Sequence, residues 1–217
     1  MRLIDLSYEI YQGMFKFLGD YHPQVEVELT GTFARDRCEV RRLTLGTHSG
    51  THVDAPAHFV PGGQTIDAVP LDLLFARTQV IDAWTEEEGV VLPRELFAEA
   101  DFVGVGGVLI RTGWERRWGD PAFYRGFPVL AEEVIQALMA KGCKHLAVDF
   151  PLTLEVHQVA LGGGGVLIEN LCNVRAIREP RPLLAAWALR LRGGEAAPAR
   201  VVAIEGLPAA AGLPEAD

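Results

Sequence analysis

Two short apolar runs in the second half of the chain do most to limit its fold. Gly107–Thr112 (GVLIRT) and His145–Asp149 (HLAVD) are apolar without alternation, and each ends in a polar residue. Such runs are too short for core helices. They read as strands buried on both faces, each delivering its last residue at its carboxyl end. Ala131–Lys141 (AEEVIQALMAK) lies between them and has helical periodicity, with Val134, Ile135, Leu138 and Met139 on one face and Gly142 where the helix stops. A third apolar run, Val166–Ile168, follows Gly162–Gly165 and ends in Glu169. Strands interleaved with helices predict one domain, α/β or α+β.

The first half reads as strands and turns. Arg2–Glu9 is a weak edge strand, and Gln24–Thr32 alternates cleanly as a half-buried strand with Val25, Val27 and Leu29 inward. Val40–Thr47 is a third strand, Pro61-Gly62-Gly63 a turn, Leu71–Phe75 a short helix and Thr78–Ala83 a strand. No composition break divides 1–206. The Ala-, Pro- and Gly-rich stretch 207–217 reads as a flexible tail.

The chain has 217 residues, 49% of them hydrophobic, with a formal net charge of −9. That apolar content excludes a disordered chain, and an acidic chain without a basic cluster is a poor binder of nucleic-acid phosphates. Met1-Arg2-Leu3-Ile4-Asp5 opens without a signal-like apolar run, and no stretch approaches the roughly 20 apolar residues of a membrane span. The three cysteines, Cys38, Cys143 and Cys172, are widely spaced and odd in number, so they read as buried thiols in a reducing compartment. The expectation is a cytoplasmic protein with neither nucleic-acid nor membrane partners.

Chemistry concentrates in one segment. Of six histidines, three fall within His48-Ser-Gly-Thr-His52-Val-Asp54-Ala-Pro-Ala-His58. Imidazole and carboxylate are the ligands that Zn, Mn or Fe accept, and several from one segment is typical of catalytic sites. Gly50 and Pro56 disfavour a helix, so a curled loop after the Val40–Thr47 strand is expected to gather His48, His52 and Asp54 on one ion. His157 and Glu169 are the best distant ligands, each beside an apolar strand-like segment. His22, in a Tyr-His-Pro turn, and His145, opening a strand, carry no assigned role. A metal-stabilised scaffold without turnover is disfavoured, because structural zinc sites are closed and rarely use Asp.

This segment resembles the HxGTHxDxPxH signature of the metal-dependent cyclase family, which includes bacterial kynurenine formamidases and isatin hydrolases. The similarity extends to Pro61–Asp67, Gly107–Thr112, Ala147–Asp149, Val166–Leu171 and Pro198–Ile204. It implies a swivelling β/β/α fold, a mixed sheet with flanking helices. It implies His48, His52 and Asp54 on a first metal, with Asp54 bridging to a second completed by His157 and Glu169, and Glu169 also bridging. His58 would be the proton donor and acceptor. The implied reaction is hydrolysis of an aryl formamide such as N-formylkynurenine, using two zinc ions. The alternative is ring opening of a cyclic amide using one manganese. Family members are commonly homodimers or homotetramers acting on small molecules. Two departures bear on the substrate. Phe17-Leu18-Gly19-Asp20 stands where formamidases carry a Trp and a Pro, and the Asp149–His157 connection is short. Phe17 and Phe59 are the expected apolar wall against an aryl group, while Phe15 suits core packing equally well.

Overall fold

A computed structural model describes residues 1–208; the predicted flexible tail, 207–217, lies almost entirely outside the described residues. The strands are β1 (Arg2–Asp5), β2 (Glu26–Gly31), β3 (Val40–Thr44), β4 (His52–Asp54), β5 (Phe75–Asp82), β6 (Gly107–Arg111), β7 (His145–Val148), β8 (Val166–Glu169), β9 (Leu183–Ala188) and β10 (Ala196–Glu205). The helices are α1 (Phe33–Asp36), α2 (Leu71–Leu74), α3 (Glu132–Ala140) and α4 (Leu154–Gly162). The main sheet runs β1-β10-β4-β8-β7-β6-β5-β9, and β9 also pairs with β10. That last pairing closes the strands from β10 round to β9 into a barrel, with β1 an extra strand on β10. β5, β6, β7 and β8 are mutually parallel, as unbroken apolar runs require, and the remaining ladders are antiparallel.

Strand parity sorts the side chains between two cores. Leu109, Ala147, Ile168 and Val53 point into the barrel, beside Ala186, Ala197 and Ala203, whose small side chains suit a narrow interior. Val108, Ile110, Leu146, Val148 and Leu167 point outward, against α3 and α4. The same alternation sends His52, Asp54 and Glu169 to the outer, helix-covered face. Parity thus places the charged residues between sheet and helices, not inside the barrel.

The sequence reading of α3 holds. Glu132 and Glu133 lie in its first turn, where the helix dipole favours acids. Gly142, at φ +99°, ends it in a left-handed turn. Its amide donates to Met139 and that of Cys143 to Leu138, at 2.9 and 3.1 Å, which is a Schellman cap. Burying Val134, Ile135 and Leu138 contributes about 5–9 kcal/mol at roughly 1.5–3 kcal/mol per side chain.

Other expectations need correction. β2 and β3 form a two-stranded ribbon of their own, with β3 exposed along its whole length among the described residues. Val25 is buried but Leu29 is exposed, so the alternation of Gln24–Thr32 reports a strand without a buried face. Cys143 is buried and Cys172 half-buried, but Cys38 is exposed; all three are free thiols. Among the described residues no helix is long and apolar enough to cross a membrane.

His145 opens β7 in complete burial, its Nε2 2.8 Å from Thr78 Oγ1. Burial pushes its pKa down to about 4, so it is neutral at pH 7. The unfolded chain binds a proton near pH 6.5 that the folded chain refuses until about 4. Stability from this group is therefore complete above pH 6.5 and falls with pH towards 4, by about 3 kcal/mol in all. Urea unfolding between pH 7 and 4 should show His145→Gln losing stability less steeply than wild type, by about 1.4 kcal/mol per pH unit. Equal slopes would contradict this.

Candidate metal centre

The segment after β3 is shaped by local hydrogen bonds. Ser49 Oγ accepts from the Gly46 amide at 3.0 Å, closing a turn. Gly50 follows at φ +65°, where a Cβ would meet Met14 Cε at 3.1 Å. This conformation aims the Gly50 carbonyl back at the strand, where it accepts from His52 Nδ1 (2.9 Å) and Asn170 Nδ2 (3.1 Å). Thr51 Oγ1 donates to the Asn170 carbonyl at 2.6 Å and accepts from the Tyr8 amide at 3.0 Å. The Gly-Thr pair between the histidines is therefore a fastening to the end of β8.

His48 lies in the turn as expected, but His52 and Asp54 do not lie in a curled loop. They occupy β4, which β10 and β8 flank, with His52 opposite Glu169. Residues two apart on a strand share a face, so His52, Asp54 and Glu169 form one outward patch. His157 arrives from the other side. It sits on α4, where its Nδ1 donates to the Thr153 carbonyl (2.7 Å) at the start of the same helix. His58 closes a 3-10 turn opened by Pro56, and Phe59 follows it.

All five expected ligands and His58 converge. His48 Nδ1 is 2.9 Å and His52 Nε2 3.4 Å from Asp54 Oδ1. His157 Nε2 is 3.4 Å from Asp54 Oδ2 and 3.1 Å from Glu169 Oε1. The donor atoms of His52, Asp54 and Glu169 lie within 4.8 Å of one another, as do those of His48, Asp54 and His58. Asp54 belongs to both groups. It is fully buried, and neither of its oxygens, nor Glu169 Oε1, has a hydrogen bond among the described residues. Orphaned carboxylate oxygens are costly unless something positive meets them. His52 and His157 have already given Nδ1–H to carbonyls, so it is Nε2 of each that is turned to the carboxylates, free to bind a cation once its proton is displaced. This donor set fits a divalent cation with N and O ligands.

The electrostatics agree. Burial acts to raise the Asp54 carboxyl, but His52, His157 and His48 outweigh it and hold the group well below its ordinary value. Burial acts to lower His157, yet Glu169 and Asp54 raise it to about 11. His48 is likewise raised, with Asp54, Glu169 and Glu195 overcoming burial. The cage gathers positive charge, and a cation entering it would displace protons. His58 differs. Burial takes it down to about 4, Asp54 pulling upward and His48 and His157 pressing down, so it is neutral at pH 7.

Above the cage is a cavity of about 150 Å³ whose walls include Phe17, Phe59, Tyr124 and Leu152. Phe17 meets Tyr124 edge to face with ring centroids 5.4 Å apart, and Phe59 lies 4.8 Å from His157. Phe15 is behind this wall, against Trp118 and Tyr124, as core packing. The lining residues to which the sequence reading gives no role include His22, Tyr124 and Asn170. His22 comes 5.8 Å from the His48 ring because the N-terminal loop crosses the pocket, which no local pattern signals. Asn170 directly follows Glu169 and has a buried Oδ1 without a partner among the described residues, and that adjacency is the available clue.

Comparison with known proteins agrees with this geometry. Residues 4–153 match the Cyclase family model, described as "Putative cyclase". The kynurenine formamidase of Salinibacter ruber is 30% identical over an alignment covering 93% of this chain and 97% of the relative. Isatin hydrolase A from Labrenzia aggregata, solved with benzyl benzoate, superposes with a TM-score of 0.81 at 21% identity, covering 93% of each chain. A structure described as a potential metal-dependent hydrolase with cyclase activity superposes at 0.74 with 26% identity, covering 95% of this chain and 99% of that one. The chain belongs to the Cyclase family, and its fold is the one shared by these hydrolases.

Proposed function

We propose that this chain is a metal-dependent hydrolase of the amide C–N bond, with an aryl formamide such as N-formylkynurenine as substrate. The observation that carries the reading is the set of orphaned Asp54 and Glu169 oxygens, faced by imidazoles, beneath a small aromatic pocket. His48, His52 and Asp54 would hold one divalent cation. Asp54, with His157 and Glu169, would hold a second, zinc in both cases. A cation there supplies a water of lowered pKa and positive charge for the developing oxyanion. The remaining work falls to the chain. Neutral His58 takes a proton from the attacking water on a ring nitrogen and hands it to the departing amine nitrogen. Phe17, Phe59 and Tyr124 shield the site from water and pack on the aryl ring. Asn170 Oδ1, unpartnered among the described residues, is an acceptor for an amide N–H.

Exposed Leu29, Phe33, Val40 and Leu43 on and beside the β2–β3 ribbon support a homo-oligomer, a dimer or tetramer. The unpaired thiols suit the cytoplasm.

The test is turnover by protein purified without chelators, offered formanilide, N-formylkynurenine and a cyclic aryl amide. Release of formate from the first two is expected. Turnover of the cyclic amide alone, with one manganese bound, would replace this reading by the ring-opening one. A loaded protein inert to all three would leave a metal-stabilised binding protein.

A further inference from the structure

The histidines of the cage are not held alike. His52 and His157 each give Nδ1–H to a main-chain carbonyl, Gly50 and Thr153, and so present Nε2. His48 has no such carbonyl among the described residues. Its Nδ1 faces Asp54 Oδ1 at 2.9 Å, and its Nε2 faces Glu195 Oε1 at 3.3 Å. Glu195 is itself fixed. It immediately precedes β10, its carbonyl accepts from the Ala55 amide at 2.9 Å, and its Oε1 accepts from Thr47 Oγ1 at 2.5 Å. Among the described residues it has no Lys or Arg partner within ion-pair distance, so the carboxylate points its charge at His48 alone.

Accepting the metal centre proposed above, on which this step rests, we infer that Glu195 is the positioning residue of His48. Its carboxylate holds the proton on Nε2, turns the ring, and leaves Nδ1 as the donor to the cation. Thr47, immediately before His48, steadies the carboxylate. His48 is then an Nδ1 ligand beside the Nε2 ligands His52 and His157, and the only one of the three oriented by an acid. A carboxylate behind a ligating imidazole makes it a stronger donor, and its loss typically weakens metal binding 10- to 100-fold. The Glu195 side chain is 40% exposed, so replacing it leaves no buried hole.

The test is zinc affinity, by competition with a chromophoric chelator, together with long-range ¹H–¹⁵N histidine spectra of the zinc-loaded protein. Glu195→Ala should weaken zinc binding roughly 10- to 100-fold. Glu195→Gln, which still accepts from Nε2–H but lacks the charge, should fall between Ala and wild type. Thr47→Val should cost only a few-fold. The spectra should show one Nδ1-bound histidine that disappears in His48→Gln and whose Nε2–H exchanges faster in Glu195→Ala. Unchanged affinity in Glu195→Ala, or His48 bound through Nε2, would overturn the inference while leaving the metal centre standing. A wild type that binds no cation would overturn both.

Discussion

Asp54→Asn should abolish both cation binding and turnover. The carboxylate is fully buried and lies in both groups of donor atoms, so no neighbouring residue can take its place. Across about 4 Å at an effective dielectric near 20, one pair of unit charges interacts by roughly 4 kcal/mol, or about 10³-fold. A divalent ion interacts more strongly, so affinity and kcat/KM should each fall at least ~10³-fold. The substitution is isosteric, and β4 keeps its ladders to β8 and β10, so circular dichroism should be unchanged. Metal analysis on the purified variant and a formamide assay check the two halves separately. A variant that keeps its metal and its activity would remove Asp54 from the site.

His58→Ala should give the opposite combination, with metal retained and turnover lost. Positioned acid–base groups contribute typically ~10²- to 10⁴-fold, which is the expected fall in kcat. Its donor atom lies within 4.8 Å of those of His48 and Asp54, so distance alone would allow it to be a ligand. Its surroundings set it apart. The carboxylates raise His48 and His157, whereas burial and those two neighbours keep His58 at about 4 and neutral at pH 7. A neutral imidazole can accept the proton that the reaction releases. Added imidazole should restore part of the lost rate in the variant. If His58→Ala instead loses its metal, His58 is a ligand and the proton must move through another group.

The parts of this site legible in the sequence were those set by residue identity. His48, His52, Asp54 and His58 stand close enough in the chain for donor type alone to single them out. Their backbone was harder to read. A three-residue strand between Gly50 and Pro56 is too short to show periodicity, and β4 exists because β8 and β10 pair with it from far along the chain. His157 was placed beside a strand-like segment because the apolar residues of α4, Leu154, Val156, Val159, Ala160 and Leu161, surround its axis without a clear polar face. Closure of the barrel was equally hidden, since the β9–β10 pairing leaves no mark on either strand. In contrast, α3 carries its period, its acidic first turn and its terminal glycine in the eleven consecutive residues Glu132–Gly142, and it folds as read.

The central claim is that the cage under the aromatic pocket holds the cation on which hydrolysis depends. It is tested most directly by stripping the wild-type protein with a chelator, adding back zinc or manganese in steps, and reading bound metal and formanilide hydrolysis on the same samples. The account predicts negligible activity in the stripped protein and a rise that saturates with the cage, at two equivalents if both groups of donors are filled. Full activity without metal, or metal bound without any gain in activity, would contradict it.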